Sequence, residues 1–185
     1  MKPKDLVLVL LFTISMLVVF TSLQSFNRKH VFDVDVELSK NKSEVLSPTP
    51  MYMYENIEKY SDRYDIPKHI AYNISFLETR YQGPFHWKYN PKQTSCVGAL
   101  GPMQIMPGTA RLIQKHSVPN ETLKNNIRLN IEISMKLLRR LHDKYQDWAI
   151  VCGCYNTGRP LVNDYARFCV KNQNYQKNWL LPKTI

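Results

Sequence analysis

Beyond residue 50 the apolar side chains return every third or fourth position, and no stretch alternates with the period of two that a half-buried strand requires. That property confines the chain to a helical fold. Residues 51 to 64 set Met53, Ile57, Tyr60 and Tyr64 along one stripe. Pro67, suited to a first turn, opens a second helix that runs to about Tyr81. A third is predicted from about Gly108 to His116, and a fourth from Asn125 to Tyr145 with Ile127, Ile131, Leu138 and Leu141 on a common face. Asp147 caps a fifth through about Cys154, which Gly158 and Pro160 stop, and a last helix covers Leu161 to Lys171. Residues 83 to 107 are punctuated by Pro84, Pro91, Gly98, Gly101, Pro102 and Pro107 and read as loop. The tail from Asn172 to Ile185 is basic, holds Tyr175 and Trp179, and is expected to pack only in part. The expectation is a mainly α domain of five to seven helices over residues 51–185, and a chain of 185 residues has room for one such core.

Ahead of that domain, Leu6 to Phe20 form an apolar stretch, broken only by Thr13 and Ser15, after the short basic start Met1-Lys2-Pro3-Lys4. With Thr21, Ser22 and Leu23 the run just reaches the length of a membrane span, about 17–25 residues. No small-x-small cleavage site follows it. Residues 1–23 are therefore expected to be an uncleaved signal anchor that places the body of the chain in the cell envelope, outside the cytoplasm. Arg28, Lys29 and His30 beyond the span oppose this orientation, because positive residues favour the inner side. Residues 24–50, ending in Ser47-Pro48-Thr49-Pro50, read as a stiffened linker.

Net charge is +10, and it is not confined to the tails, since residues 51–185 hold 19 Lys and Arg against 10 Asp and Glu. Such a surface attracts polyanions, whether nucleic acid, anionic lipid or an acidic wall polymer. No nucleic-acid-binding motif accompanies the charge, so nucleic acid is not an expected partner. Cys96, Cys152, Cys154 and Cys169 include no Cys-x-x-Cys pair, and the five histidines are scattered, so no metal site is expected. Export permits disulfides, but the apolar run before Cys152 and Cys154 fits small buried side chains.

Between Asp65 and Glu121 the chain carries one carboxylate, Glu78, at the end of the apolar run Ile70-Ala71-Tyr72-Asn73-Ile74-Ser75-Phe76-Leu77. An acid ringed by such side chains keeps its proton toward neutral pH, which suits a general acid. The plain alternative is a glutamate on the solvated face of a helix.

Three segments follow one another in a definite order. Ile74-Ser75-Phe76-Leu77-Glu78-Thr79 comes first. The run from Ser95 to Ala110, with its core Gly98-Ala99-Leu100-Gly101-Pro102-Met103-Gln104-Ile105-Met106-Pro107, comes second, and Tyr155-Asn156-Thr157-Gly158 third. Together they resemble the catalytic domain of the soluble lytic transglycosylases over roughly residues 52 to 167. The resemblance implies a lysozyme-like helical fold that cleaves peptidoglycan glycan strands without a cofactor. It implies that Glu78 is the catalytic acid and that Ser95, Gln104 and Tyr155 line the sugar cleft. Thr79 stands beside the acid in a substrate-binding position, and Asn156 takes a structural or supporting place there.

Three departures mark this chain. Thr79 stands where serine is usual and keeps the hydroxyl, Pro102 replaces a leucine, and the interval from Glu78 to Ser95 is long. The extra residues hold Phe85, His86, Trp87 and Tyr89, which either stack on sugars at the cleft rim or form a satellite core.

Most glycosidases use two carboxylates, yet the next after Glu78 is Glu121. The chemistry the resemblance implies needs one. Glu78 protonates the oxygen between N-acetylmuramic acid and N-acetylglucosamine, the substrate N-acetyl group stabilises the charge at C1, and Glu78 then takes the C6 hydroxyl proton as O6 closes a 1,6-anhydro ring. The rival readings are a lysozyme-type hydrolase, with Glu132, Asp143 or Asp164 as second acid, and a non-catalytic wall-binding protein. Secretion, conjugation or wall-remodelling machinery all need such an activity and are open as partners.

Overall fold

The structure, a computed structural model, describes residues 48–179. The expected signal anchor, all but the end of the linker, and residues 180–185 of the tail lie outside the described residues. Seven α-helices occur among the described residues: α1 (Thr49–Tyr64), α2 (Lys68–Thr79), α3 (Pro107–Gln114), α4 (Asn120–Asn125), α5 (Ile127–Tyr145), α6 (Trp148–Thr157) and α7 (Asp164–Lys171). A 3-10 turn, Tyr175–Asn178, follows. No helix among the described residues is long and apolar enough to cross a membrane. The described residues hold no strand, only the isolated bridges Thr94–Leu100 and Leu100–Ile105.

The ends of the helices follow from local chemistry. Pro50 does not close the linker but sits in the first turn of α1, where its fixed φ and missing donor are compatible with a helix start. The fourth expected helix begins two residues later, at Ile127, because the Asn126 side chain accepts from Leu129 N and caps α5, and the short α4 just before it lies outside that expectation. Asp147 caps α6 as expected, through bonds from Ala149 N and Ile150 N, and Gly158 ends it with φ 73°. The last helix is shorter than the sequence suggests. Asn163 accepts from Ala166 N, so α7 starts at Asp164, while Leu161 and Val162 stay exposed in the connection.

Helix α5 is the spine, and α1, α3, α4 and α6 all pack against it. Its inner face contributes Ile131, Met135 and Leu138, fully buried in one core with Met53 and Ile57 of α1 and Ile70 and Ile74 of α2. Each such side chain is worth about 1.5–3 kcal/mol when withdrawn from water. Helix α7 packs on α6 and α2. The tail through Trp179 packs more fully than the sequence suggests. Tyr175 stacks on Tyr72 at 4.6 Å and Trp179 meets Tyr54 edge-on at 5.5 Å. Gly83 is a glycine because Trp179 lies against it, 2.3 Å from where a Cβ would stand.

Candidate active site

Glu78 lies in the final turn of α2, which Arg80 ends in the left-handed conformation at φ 61°. It is half-buried. The Tyr165 hydroxyl on α7 donates to its Oε1 at 2.7 Å. Burial pushes the Glu78 carboxyl above the usual glutamate range, and the Tyr165 hydrogen bond pulls back only part of that shift. The negative end of the α2 dipole acts in the same direction as burial.

Helices α2 and α7 run antiparallel past this pair. Asn73 Nδ2 donates to Cys169 O at 2.8 Å and Asn172 O at 2.7 Å, and Asn172 Nδ2 returns a bond to Asn73 Oδ1 at 3.0 Å. One turn on, Phe76 stacks on Phe168 with centroids 5.8 Å apart, and the Glu78–Tyr165 bond follows. Residue numbers rise on one helix as they fall on the other. At its start α7 is tied to α6, since Asn163 Nδ2 donates to Asn156 Oδ1 at 2.8 Å. Gly153 lets that connection cross α6, because a Cβ there would stand 1.6 Å from Leu161 O.

The carboxylates that a two-acid mechanism would need are engaged elsewhere. Glu132 bonds Tyr64 and Lys136, Asp143 pairs with Arg139, and Asp164 pairs with Arg167. Burial raises Glu132, but Lys136 and Tyr64 outweigh it and hold that group below the usual range.

The loop from Gln93 to Met106 is clamped onto this end of the fold by three side chains, each satisfying a backbone group that would otherwise be buried unpaired. Asn130, fully buried on α5, accepts from Met103 N at 3.0 Å and donates to Leu100 O at 2.8 Å and Leu123 O at 2.9 Å. Tyr155 on α6 donates to Met103 O at 2.7 Å. Thr79, next to the acid, donates to Pro102 O at 2.8 Å and meets the Tyr89 hydroxyl at 2.8 Å. Gly101 fits only without a side chain, since its φ is 74° and a Cβ would stand 2.6 Å from Asn130 Nδ2.

The expected site residues thus fall into two groups. Ser95 and Gln104 are half-buried on the loop. The Ser95 hydroxyl accepts from Ala99 N at 2.9 Å, and Gln104, at φ 49°, donates to Gly101 O at 2.8 Å. Neither hydrogen-bonds Glu78. Thr79 is only 3% exposed and turns its hydroxyl inward, and the Tyr155 hydroxyl is tied to the loop backbone. Both brace the loop against the acid. Asn156 is exposed and accepts from Asn163 at the start of α7.

The aromatic residues of the long interval before Ser95 differ in burial. Tyr89 is buried against Tyr81 at 5.0 Å, whereas Trp87 is 58% exposed with Phe85 against its edge. All four cysteines are free, with Cys96 exposed and the other three buried.

Three residues of the site escape a reading of the sequence. Tyr165 is one, and its signal is the run Tyr165, Phe168, Cys169, an i, i+3, i+4 face on a short helix. Asn130 and Ser134 are the others, two polar side chains inside the apolar face of α5. Ser134 Oγ donates to Asn130 O at 2.8 Å and lies 3.3 Å from the Tyr155 hydroxyl.

With this geometry in place, comparison with known proteins gives a family. The family model of the transglycosylase SLT domain matches residues 55–178. Among solved structures, the complex of the 70-kDa soluble lytic transglycosylase with bulgecin A is 28% identical at a TM-score of 0.48, over 63% of this chain and 18% of that one. The lytic transglycosylase Slt of Pseudomonas aeruginosa, solved as an inactive mutant, is 16% identical at a TM-score of 0.47, over 83% of this chain and 26% of that one. This chain therefore spans about a fifth to a quarter of the length of the solved chains it matches. No curated protein sequence matches it.

Proposed function

This chain belongs to the transglycosylase SLT domain family, and on that premise we propose that it is a peptidoglycan lytic transglycosylase with Glu78 as its single acid and base. The observation that carries the reading is the state of Glu78, a half-buried carboxyl with a raised pKa and, among the described residues, no second carboxylate beside it. Such a group holds a proton to give and, once ionised, becomes a base strong enough to take one back.

In the reaction proposed, Glu78 passes its proton to the glycosidic oxygen as the bond from C1 of N-acetylmuramic acid breaks. The neighbouring N-acetyl carbonyl shields the cation at C1. Glu78 then removes the C6 hydroxyl proton and O6 bonds to C1. The proton count closes on the enzyme, and no water is consumed. Ser95 and Gln104, half-buried on the clamped loop, are the side chains proposed to meet the sugars, while Thr79, Tyr155 and Asn156 hold the frame. The substrate lies outside the cytoplasm, where the apolar run at the N-terminus is proposed to anchor the chain.

The test is mass spectrometry of soluble fragments released from purified peptidoglycan by the full chain, with Glu78→Gln alongside. Anhydro-ended fragments from the parent protein, reduced at least about a hundredfold in the variant, are expected. Hydrolysed ends, one water heavier, would overturn the single-carboxylate mechanism.

A further inference from the structure

We propose that Trp87 is a stacking platform for a further N-acetylhexosamine ring of the glycan strand, beyond the two sugars that flank the scissile bond. The choice of ligand rests on the transglycosylase reading, and the site itself is built on the loop from Arg80 to Lys92. That loop leaves α2 directly after Thr79, the neighbour of the acid. It returns to the same residue, where Gln93 Nε2 donates to Thr79 O at 3.3 Å. Between these ends the Tyr89 hydroxyl meets the Thr79 hydroxyl at 2.8 Å. A loop with such close ends, packed by its own side chains, is a compact Ω-loop rather than a slack connection.

Its filling is aromatic. Tyr81 and Tyr89 are buried, and the Tyr81 hydroxyl donates to Pro50 O at 2.7 Å. Bonds from His86 N to Gly83 O at 3.2 Å and from Tyr89 N to His86 O at 2.8 Å close its turns. Trp87 stands apart from that filling. The Phe85 ring meets the indole at 6.2 Å and 68°, which props it without covering it. A tryptophan has about 150–250 Å² to bury, and a loop already filled by two tyrosines gains nothing for the fold by holding one in water. Held so, the negative face of the indole attracts the C–H bonds that a β-linked hexosamine presents on one side of its ring.

The place fits that ligand. Trp87 is two residues, at most about 7 Å of chain, from Tyr89, whose hydroxyl touches the residue beside Glu78. Gln93 O accepts from Gly101 N at 2.9 Å and from Gln104 Nε2 at 3.4 Å, so this loop and the one holding Ser95 and Gln104 share a support. Of the large apolar side chains exposed among the described residues, Trp87, Val97 and Met106 all lie on these two loops. Scattered exposed apolar residues are ordinary, but a concentration beside the acid marks a contact surface. Charge narrows the ligand further. From Arg80 to Asn120 the chain holds Arg80, Lys88, Lys92, Arg111 and Lys115 and no carboxylate. Lys88 and Lys92 are both exposed on the loop of the indole. A strand that carries lactyl and peptide carboxylates along its sugars complements an aromatic ring set among cations.

The test uses the full chain with Glu78→Gln, in which cleavage is expected to be abolished, against the same chain with Trp87→Ala or Trp87→Tyr. The probe is the β-1,4-linked hexamer of N-acetylglucosamine, and Kd is read by titration calorimetry. Trp87→Ala is expected to raise Kd on the order of threefold to tenfold, as the loss of one aromatic stack predicts. Trp87→Tyr, which keeps a ring, is expected to recover most of the loss. On peptidoglycan with Glu78 intact, Trp87→Ala should raise KM by a similar factor with kcat within about twofold, because the ring holds a part of the strand that does not react.

A hexamer that does not bind the parent, a Kd for Trp87→Ala within about twofold of the parent, or a Trp87→Tyr no better than Ala overturns the platform. A fall in kcat at unchanged KM also overturns it. Vesicles of brominated phosphatidylglycerol supply the last arm, read as the quenching of emission in the parent minus that in Trp87→Tyr. Quenching of Trp87 there, with an unmoved hexamer Kd, would assign the ring to a lipid surface instead. A hexamer held through Trp87 by a protein that cleaves no peptidoglycan upholds the platform and removes the transglycosylase reading. Cleavage that does not depend on Trp87 does the reverse.

Discussion

At the scale of the residue, Glu78 is a cost to the fold that function explains. Its pKa is raised in the native state by burial, and the unfolded chain has the ordinary glutamate value. Below that ordinary value both states are protonated and Glu78 contributes no pH dependence. Between the ordinary value and the raised native one, only the unfolded chain releases its proton, so stability falls as pH rises through that window. Gln at position 78 keeps an acceptor for Tyr165 and has nothing to ionise. Glu78→Gln is therefore expected to be at least as stable as the parent at about pH 7, with the two converging near about pH 4. Urea denaturation at both values measures it, and a variant clearly less stable at neutral pH would show that the native carboxylate is a net stabiliser.

At the scale of the element, the short helix α7 is held by contacts other than a wide apolar face. Its eight residues bury fully only Ala166 and Cys169, and Asn73 supplies donors to the carbonyls of Cys169 and Asn172. Asn73→Ala leaves those two carbonyls without their donor, and each unsatisfied buried group costs roughly 1–3 kcal/mol. A loss of stability of that order is expected in urea titration, together with a loss of turnover at temperatures where the domain remains folded. Unchanged turnover in the folded variant would show that α7 docks without this clamp. The same helix shows where sequence reading stops. The periodic apolar positions of α1, α2 and α5 are legible because each helix buries a stripe, and the sequence carries that stripe on its face. The start of α7 depends on a cap that Asn163 makes while bonding Asn156, and the partner of Tyr165 is on another helix. Pairings across 87 or more residues leave no local trace. Asn130 is the clearest case, a polar side chain at a core position whose purpose appears only when the loop folds over it. Conversely, Glu78 and the loop from Ser95 to Pro107 are legible because isolation in charge and glycine-proline punctuation are properties of adjacent residues.

At the scale of the whole molecule, the excess of Lys and Arg spreads over the domain and faces a substrate proposed to be an anionic wall polymer. Long-range attraction of this kind weakens as the screening length contracts from about 10 Å at 0.1 M salt to about 3 Å at 1 M. Retention of the full chain on purified peptidoglycan in a pelleting assay is expected to fall severalfold across that range. Retention that ignores salt would assign recognition to the uncharged groups of the cleft alone. The antiparallel pairing of α2 with α7 has a consequence in the order of synthesis. The ribosome delivers the acid first and its phenol partner 87 residues later. A nascent chain that has not yet reached residue 165 carries the glutamate without its phenol donor, so the hydrogen bond at the acid forms only after α7 has been made.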